Sequence, residues 1–223
     1  MDSKTKMKAT EFFGVHKDNG RLYTKNLVPG VRVYGEKLVS WGGEEYREWM
    51  YSRSKLAAYL KLGGSFFPFN ENTQVLYLGA ASGTTASHLS DILISGTLYC
   101  VEISPRSFRD LVMVSDTRSN IVPLLADATQ PSSFDFAVAN VDVVYQDVAQ
   151  RGQASILIKN MEHFGARIGM LALKSRSEDV SRRPAEIFKE ARTELLRAGL
   201  KMRDMLPLDP FEKDHAMMVV ERG

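Results

Sequence analysis

Val75-Leu76-Tyr77-Leu78-Gly79-Ala80-Ala81-Ser82-Gly83-Thr84-Thr85 is the stretch that decides the fold. A short apolar run of strand character ends in a glycine-punctuated turn, and two threonines open a helical pattern that runs to Leu93. Strand, tight turn and helix in that order begin an α/β unit whose turn lies against a ligand. Downstream the alternation continues. Strands are predicted at Gln74–Leu78, Thr97–Ile103, Asn120–Ala126, Val141–Gln146 and Arg167–Leu173, and helices at Thr84–Leu93, Pro105–Ser115, Gln153–Phe164 and Pro184–Ala198. Such alternation predicts an α/β fold with a parallel sheet covered by helices on both faces. The end departs from it. Lys201–Leu206 and His215–Glu221 are two strands with a proline-containing loop and no helix between them, so an antiparallel hairpin should close the sheet edge.

Upstream, residues 11–43 suggest a small β unit. R-L-Y-T-K-N-L and V-R-V-Y-G-E-K-L-V alternate in strand fashion, with turn residues at Asp18-Asn19-Gly20 and Pro29-Gly30. Glu44 to Leu62 carries Trp49, Met50, Arg53, Leu56, Ala57 and Leu60 at helical spacing, with Gly63-Gly64 as a stop, and is predicted as a helix. The domain division expected is a small N-terminal β unit plus the start of a connecting helix over 1–55, and a larger α/β domain over 56–223.

Apolar residues are 44% of the chain, enough for a sizeable core, and the longest apolar runs (Ile156–Ile158, Met170–Leu173) fall far short of the roughly 20 residues a bilayer demands. The opening MDSKTKMKAT has no apolar segment of signal-peptide type. Cys100, the only cysteine, sits in L-Y-C-V and reads as a small buried hydrophobe. A soluble, cytoplasmic protein is expected. The net charge of +2 hides an uneven distribution: residues 1–70 hold 12 Lys/Arg against 7 Asp/Glu, residues 71–150 hold 3 against 9, and residues 151–223 hold 14 against 11. An acidic centre between basic ends suits a pocket flanked by polyanion-binding surface, or simply solvated charge.

Ligands of open α/β sheets sit beyond the carboxyl ends of the strands. Those ends here are Gly79-Ala80-Ala81-Ser82-Gly83, Glu102-Ile103, Asp127-Ala128, Asp147-Val148-Ala149-Gln150 and Lys174. Gly79 and Gly83 allow a tight turn with close backbone approach. Thr84 and Thr85 open a helix whose free N–H groups and hydroxyls suit a carboxylate. Glu102, 23 residues after Gly79, stands where an acid accepts hydrogen bonds from ribose hydroxyls, and Asp127 suits an adenine amine. The glycine spacing is G-x-x-x-G rather than G-x-G-x-x-G. That and the closing hairpin argue against a pyrophosphate-bearing dinucleotide and favour S-adenosylmethionine.

V-L-Y-L-G-A-A-S-G-T-T-A-S-H-L-S-D, V-D-V-V-Y-Q-D-V-A-Q and F-E-K-D-H-A together resemble the fibrillarin family, ribose 2′-O-methyltransferases of box C/D guide-RNA particles. The resemblance runs from about residue 11 to the end. The chain lacks the glycine/arginine-rich extension of the eukaryotic members and looks like the archaeal form. The resemblance implies a Rossmann-like class I methyltransferase sheet with a C-terminal antiparallel hairpin, acting on rRNA and possibly tRNA. It implies cofactor contacts from Thr84-Thr85, Glu102-Ile103, Asp127-Ala128 and Asp147 to Gln150, with Gly79, Ala81 and Gly83 shaping the pocket. The family's catalytic Lys-Asp-Lys-His set falls on Lys55, Asp147, Lys174 and His215. Implied partners are a box C/D guide RNA, its target RNA, a Nop-domain scaffold protein and a kink-turn-binding protein.

The chemistry implied is an in-line displacement at a methyl sulfonium by a ribose oxygen, so positioning supplies much of the rate. Asp147 accepts the hydroxyl's hydrogen bond, while Lys55 and Lys174 stabilise charge on the oxygen. Whether a lysine or the aspartate takes the proton stays open. His215 either moves a proton or shapes the pocket, His88 packs on the first helix of the α/β unit, and His16 and His163 are surface or packing residues. No Cys/His cluster has metal-ligand spacing. Arg176, Arg182 and Arg183 in K-S-R-S-E-D-V-S-R-R are candidates for the RNA backbone, or else a solvated loop. A same-fold enzyme with a small-molecule or protein substrate, a non-catalytic RNA-binding subunit and a nucleotide-dependent oxidoreductase are the rival readings.

Overall fold

A computed structural model describes residues 6–223; the first five residues of the opening stretch lie outside it. Two sheets make up the chain. The N-terminal one is antiparallel and has five strands, β1 (Lys8–Ala9), β2 (Val15–Asp18), β3 (Arg21–Lys25), β4 (Leu38–Trp41) and β5 (Glu44–Trp49), in the order β1-β2-β3-β5-β4. Two-residue turns set its registers. Asn19-Gly20 joins β2 to β3 and Gly42-Gly43 joins β4 to β5, all four residues at positive φ, the backbone that keeps antiparallel twist across a tight hairpin.

Residues 44–49, expected to start a helix, form β5 instead. The turn at Gly42-Gly43 pairs Trp41 with Glu44, and β5 then pairs with β3 on its other side. Two ladders outweigh an apolar spacing that Trp49 satisfies under either period. The helix, α1 (Lys55–Lys61), starts only after Ser54, whose Oγ accepts from the Ala57 N–H as an N-cap. It ends at Leu62, just before the expected glycine pair. Of the expected strand 31–39, only the end from Leu38 pairs. The preceding residues wrap the Glu36 carboxylate, which accepts from the Val33 and Tyr34 N–H groups.

The second sheet contains β6 (Gln74–Leu78), β7 (Thr97–Glu102), β8 (Ile121–Leu125), β9 (Val143–Gln146), β10 (Ile168–Lys174), β11 (Leu200–Pro207) and β12 (His215–Arg222). Their order is β11-β12-β10-β9-β6-β7-β8, and only β12 runs against the rest. Helices α2 (Thr84–Ile92), α3 (Pro105–Ser115), α4 (Gln153–Phe164) and α6 (Pro184–Arg197) lie close to their predicted bounds. A one-turn α5 (Ser175–Glu178) was not anticipated. From β6 the chain winds outward through β7 and β8, then returns to lay β9 on the other side of β6. The crevice of this switch point opens at the carboxyl ends of β6 and β9. Both faces of the sheet are buried. Met217 and Val219 of β12 belong to the core that holds Trp49, Leu56 and Leu89, while Met218 and Val220 belong to the core on the other side, with Leu157 and Leu195. Cys100 is fully buried, which holds its thiol protonated by raising its pKa.

A buried polar cluster joins the two sheets. Asp91 of α2 accepts from Arg118 Nη1 at 2.6 Å, Arg47 Nη1 of β5 at 3.0 Å and the Thr24 hydroxyl of β3 at 2.7 Å. Arg47 also donates to Glu36 at 2.7 Å. Two cations face two carboxylates with no solvent exposure of the side chains, which makes loss of any one partner costly. His88 sits in this cluster between the hydroxyls of Thr24 and Tyr34, at 2.8 and 2.7 Å, and stacks on Trp49. Burial, followed by Arg47 and Arg118, lowers its pKa well below the ordinary 6.5. Below pH 6.5 the unfolded chain takes up a proton that the folded chain refuses, so stability falls as pH falls. In His88→Asn that contribution is absent. The stability advantage of wild type over the variant should therefore shrink by up to about 1.4 kcal/mol per pH unit on acidification. Denaturant curves read this directly, and parallel pH profiles would contradict it.

Candidate active site

A cleft of about 270 Å³ opens where β6, β7, β8, β9 and β10 end. Gly79 and Ala81 form one wall, Glu102, Ile103, Asp127 and Ala128 another, and Asp147 to Gln150 with Lys174 a third. Eleven of the residues picked from the sequence thus converge on one space. Val101, Ser107 and Ala126 also line it and were missed. Ser107 had a usable signal, since Ser104-Pro105 starts a helix and its first turn must face the strand ends.

Gly79 makes the crevice possible. Its φ is +79°, and a Cβ there would meet the Asp147 carbonyl oxygen at 2.8 Å and carbon at 2.9 Å. The ends of β6 and β9 can approach this closely only because that position has no side chain. Glu102 carries the opposite wall. One carboxylate oxygen accepts from the Ala81 N–H and the other from the Ser104 N–H, both at 2.8 Å. Two backbone donors fix the carboxylate while each oxygen keeps a lone pair for a ligand hydroxyl. Asp127 Oδ1 accepts from the Thr129 N–H at 2.8 Å, which orients its other oxygen. Gly83, in the left-handed region, precedes α2, and Thr84 is its first residue. Thr85 is buried and its hydroxyl donates to Ser54 Oγ at 2.9 Å. The hydroxyl is thereby committed inside the protein, and α2 offers a ligand its first-turn N–H groups.

Beside the cleft Asp147 lies between two ammonium groups. Lys55 Nζ is 3.2 Å from Oδ2, and Lys174 Nζ is 2.9 Å from Oδ1 and donates to the Asp147 main-chain carbonyl at 2.8 Å. Oδ1 is screened from solvent and lies against the same ammonium that serves the carbonyl. All three side chains are largely buried, and they come from three separate elements, α1, the end of β9 and the end of β10. Ser54 explains how α1 delivers Lys55: its single hydroxyl caps the helix and takes the Thr85 bond. A serine immediately before Lys55 was the available sequence signal.

His215 is the cross-strand partner of Lys174 and is not among the residues lining the cleft. Its Nδ1 donates to the Lys213 carbonyl at 2.6 Å. Of the arginines, Arg176 donates to Asp214 and to the Val180 carbonyl, Arg182 makes a bidentate pair with Glu190, and Arg183 is exposed. His163 pairs with Asp135 at 3.0 Å, and His16 packs edge-on to Tyr46.

Fold and cleft define a Rossmann-like methyltransferase, with its glycine loop after the first strand of the sheet, an acid at the end of the second and one antiparallel strand near the edge. The sequence profile of the fibrillarin family matches residues 2–222. A fibrillarin-like rRNA/tRNA 2′-O-methyltransferase of Pyrococcus horikoshii is 48% identical over 97% of this chain and 98% of its own length. The solved fibrillarin of Aeropyrum pernix, a complex with natively bound S-adenosyl-L-methionine, superposes with a TM-score of 0.85 at 43% identity, covering 96% of this chain and 97% of that one. A fibrillarin/Nop5p complex contains a chain that superposes at 0.88 with 38% identity, covering 96% and 100%. The chain belongs to the fibrillarin family. No helix among the described residues is long and apolar enough to cross a membrane.

If Glu102 holds ribose hydroxyls, Glu102→Ala should weaken S-adenosylmethionine binding about tenfold or more, since a charged acceptor hydrogen bond contributes roughly 1.5–3 kcal/mol. Titration calorimetry measures it, and an unchanged affinity would remove Glu102 from the ligand's contacts.

Proposed function

We propose that this chain transfers the methyl group of S-adenosylmethionine to ribose 2′-hydroxyls of ribosomal and transfer RNA, as the catalytic subunit of a box C/D guide ribonucleoprotein in the cytoplasm of an archaeal cell. What carries the proposal is the Lys55–Asp147–Lys174 cluster beside the glycine-loop cleft, in a chain of this family.

The cleft suits the cofactor. Glu102 has lone pairs free for its ribose hydroxyls, Asp127 an oriented oxygen for its adenine amine, and the start of α2 has N–H groups for its carboxylate. Bound there, the cofactor supplies an electrophilic methyl group. Asp147, whose carboxylate is held between two ammonium groups at the wall of the cleft, accepts the hydrogen bond of the incoming ribose hydroxyl. The proton leaves the ribose oxygen toward the Asp147 cluster, and Lys55 and Lys174 stabilise the negative charge that builds on that oxygen. Holding hydroxyl and methyl in line contributes much of the remaining rate. His215 lies one strand over from Lys174, on the β12 side.

Guide RNA, target RNA, a Nop-domain scaffold and a kink-turn-binding protein complete the particle, the guide choosing the nucleotide by base pairing. Exposed Arg183 is the arginine best placed to meet an RNA backbone, while Arg176 and Arg182 add charge but are already paired. The test is a reconstituted particle supplied with tritiated cofactor, with the product mapped by nucleotide. Label should appear on one guided ribose. Label on a base, or none from the complete particle, would overturn the assignment.

A further inference from the structure

Lys174 is the last residue of β10, beyond the reach of β9. The β9–β10 ladder ends at the pair Gln146–Leu171, so no strand meets β10 on that side for its last three residues. Ser175 turns its N–H the other way, to Asp214 on the β12 side. The N–H and C=O of Lys174 therefore face a gap in the sheet, and a side chain fills it. Gln153 Oε1 accepts from the Lys174 N–H at 2.9 Å, and Gln153 Nε2 donates to the Lys174 carbonyl at 3.0 Å. One amide thus reproduces the pair of bonds that a neighbouring strand would supply. Gln153 has no solvent exposure, so no water stands ready to replace it.

Gln153 is itself fixed at both ends of its backbone. Its N–H, with that of Gly152, donates to the Glu178 carboxylate at 2.8 and 2.9 Å, and its carbonyl accepts from Gln146 Nε2 at 2.7 Å. Gln146 immediately precedes Asp147. A single residue at the start of α4 therefore holds the two strand ends that present Asp147 and Lys174 to each other.

We infer that Gln153 is a positioning residue for the methyl-transfer reaction, setting the main chain of Lys174 so that its ammonium spans the Asp147 carbonyl and carboxylate. It touches neither cofactor nor RNA in this role, and the inference rests on the role proposed for Lys174. Displacement of a catalytic group by about 1 Å costs roughly 100-fold in rate. Gln153→Ala should therefore lower kcat of the reconstituted particle by about tenfold to 100-fold, with KM for S-adenosylmethionine changed much less.

A double-mutant cycle with Lys174→Ala separates positioning from general loosening. If Gln153 acts through the lysine, Gln153→Ala has no further effect on kcat once the lysine is gone. Gln153→Glu is the second variant. It keeps the acceptor for the Lys174 N–H but, when ionised, sets an oxygen against the Lys174 carbonyl. Its activity relative to wild type should rise as the pH is lowered and a protonated carboxyl recovers the donor. Wild-type kcat in Gln153→Ala, an equal loss in both lysine backgrounds, or a Gln153→Glu ratio independent of pH would overturn the positioning role alone. Full activity of Lys174→Ala by itself would remove the role of the lysine and the inference with it. Should Gln153→Ala fail to fold, the Gln153→Glu pH ratio still decides.

Discussion

Asp147→Asn should lower kcat for guided methyl transfer by about 10²–10⁴-fold, the range of a positioned proton acceptor. The substitution preserves volume and backbone while removing the charge that lies between Lys55 Nζ at 3.2 Å and Lys174 Nζ at 2.9 Å. An asparagine has one carbonyl oxygen to offer, so whichever ammonium it faces, its amide nitrogen is set against the other, and the site loses an acceptor for the incoming hydroxyl's proton. Cofactor affinity should change far less than turnover, because Glu102, Asp127 and the glycine loop are untouched. Single-turnover assays with saturating cofactor read the chemical step, and a thermal melt checks that two unpaired ammonium groups have not unfolded the site. Turnover within about threefold of wild type would take Asp147 out of the reaction.

Gly79→Ala should all but eliminate cofactor binding and also lower folding stability. A left-handed backbone with a Cβ costs about 1–2 kcal/mol. Space is the larger cost: the Cβ would stand 2.8 Å from the Asp147 carbonyl oxygen, a main-chain atom that cannot swing aside as a side-chain end can. Either β6 or the end of β9 must move, and both walls of the cleft move with them. The left-handed strain lowers folding stability, as at Gly165, while the displaced walls lower affinity by about tenfold for every 1.4 kcal/mol needed to restore them. Gly165→Ala is the control, since Gly165 has φ +70° with nothing within 4 Å of an added Cβ and lies away from the cleft. Its folding stability should fall while its cofactor affinity stays at the wild-type value. Equal affinities for Gly79→Ala and wild type would show that the crevice adapts.

Strand ends were legible because an apolar run has to stop where polar groups begin. Gly79, Glu102, Asp127, Asp147 and Lys174 could be picked one by one from that rule, and they meet in one cleft. Lys55 was not legible that way. Its helix looked continuous from Glu44, and nothing local says that the Gly42-Gly43 turn converts residues 44–49 into a strand with two neighbours. The family resemblance supplied the residue; the Ser54 cap explains its placement. Residue type also hides commitment. Thr85 and Arg182 looked free for ligands, yet each already has a partner, Ser54 and Glu190, and such pairings depend on elements distant in sequence or a turn away in space. Gln153 gave no signal at all, since an amide that substitutes for a missing strand is visible only once the sheet has been assembled.

The Arg47–Asp91–Arg118–Glu36 cluster also governs what can be cut away. A fragment beginning after Trp49 would retain Asp91 and Arg118 but lose Arg47, Glu36 and Thr24, opening a charged scar on the flank of the helix that follows the cofactor loop. The seven-stranded half is therefore not a portable module. Grafts, fusions and minimal enzymes built from this chain have to carry the N-terminal sheet with them.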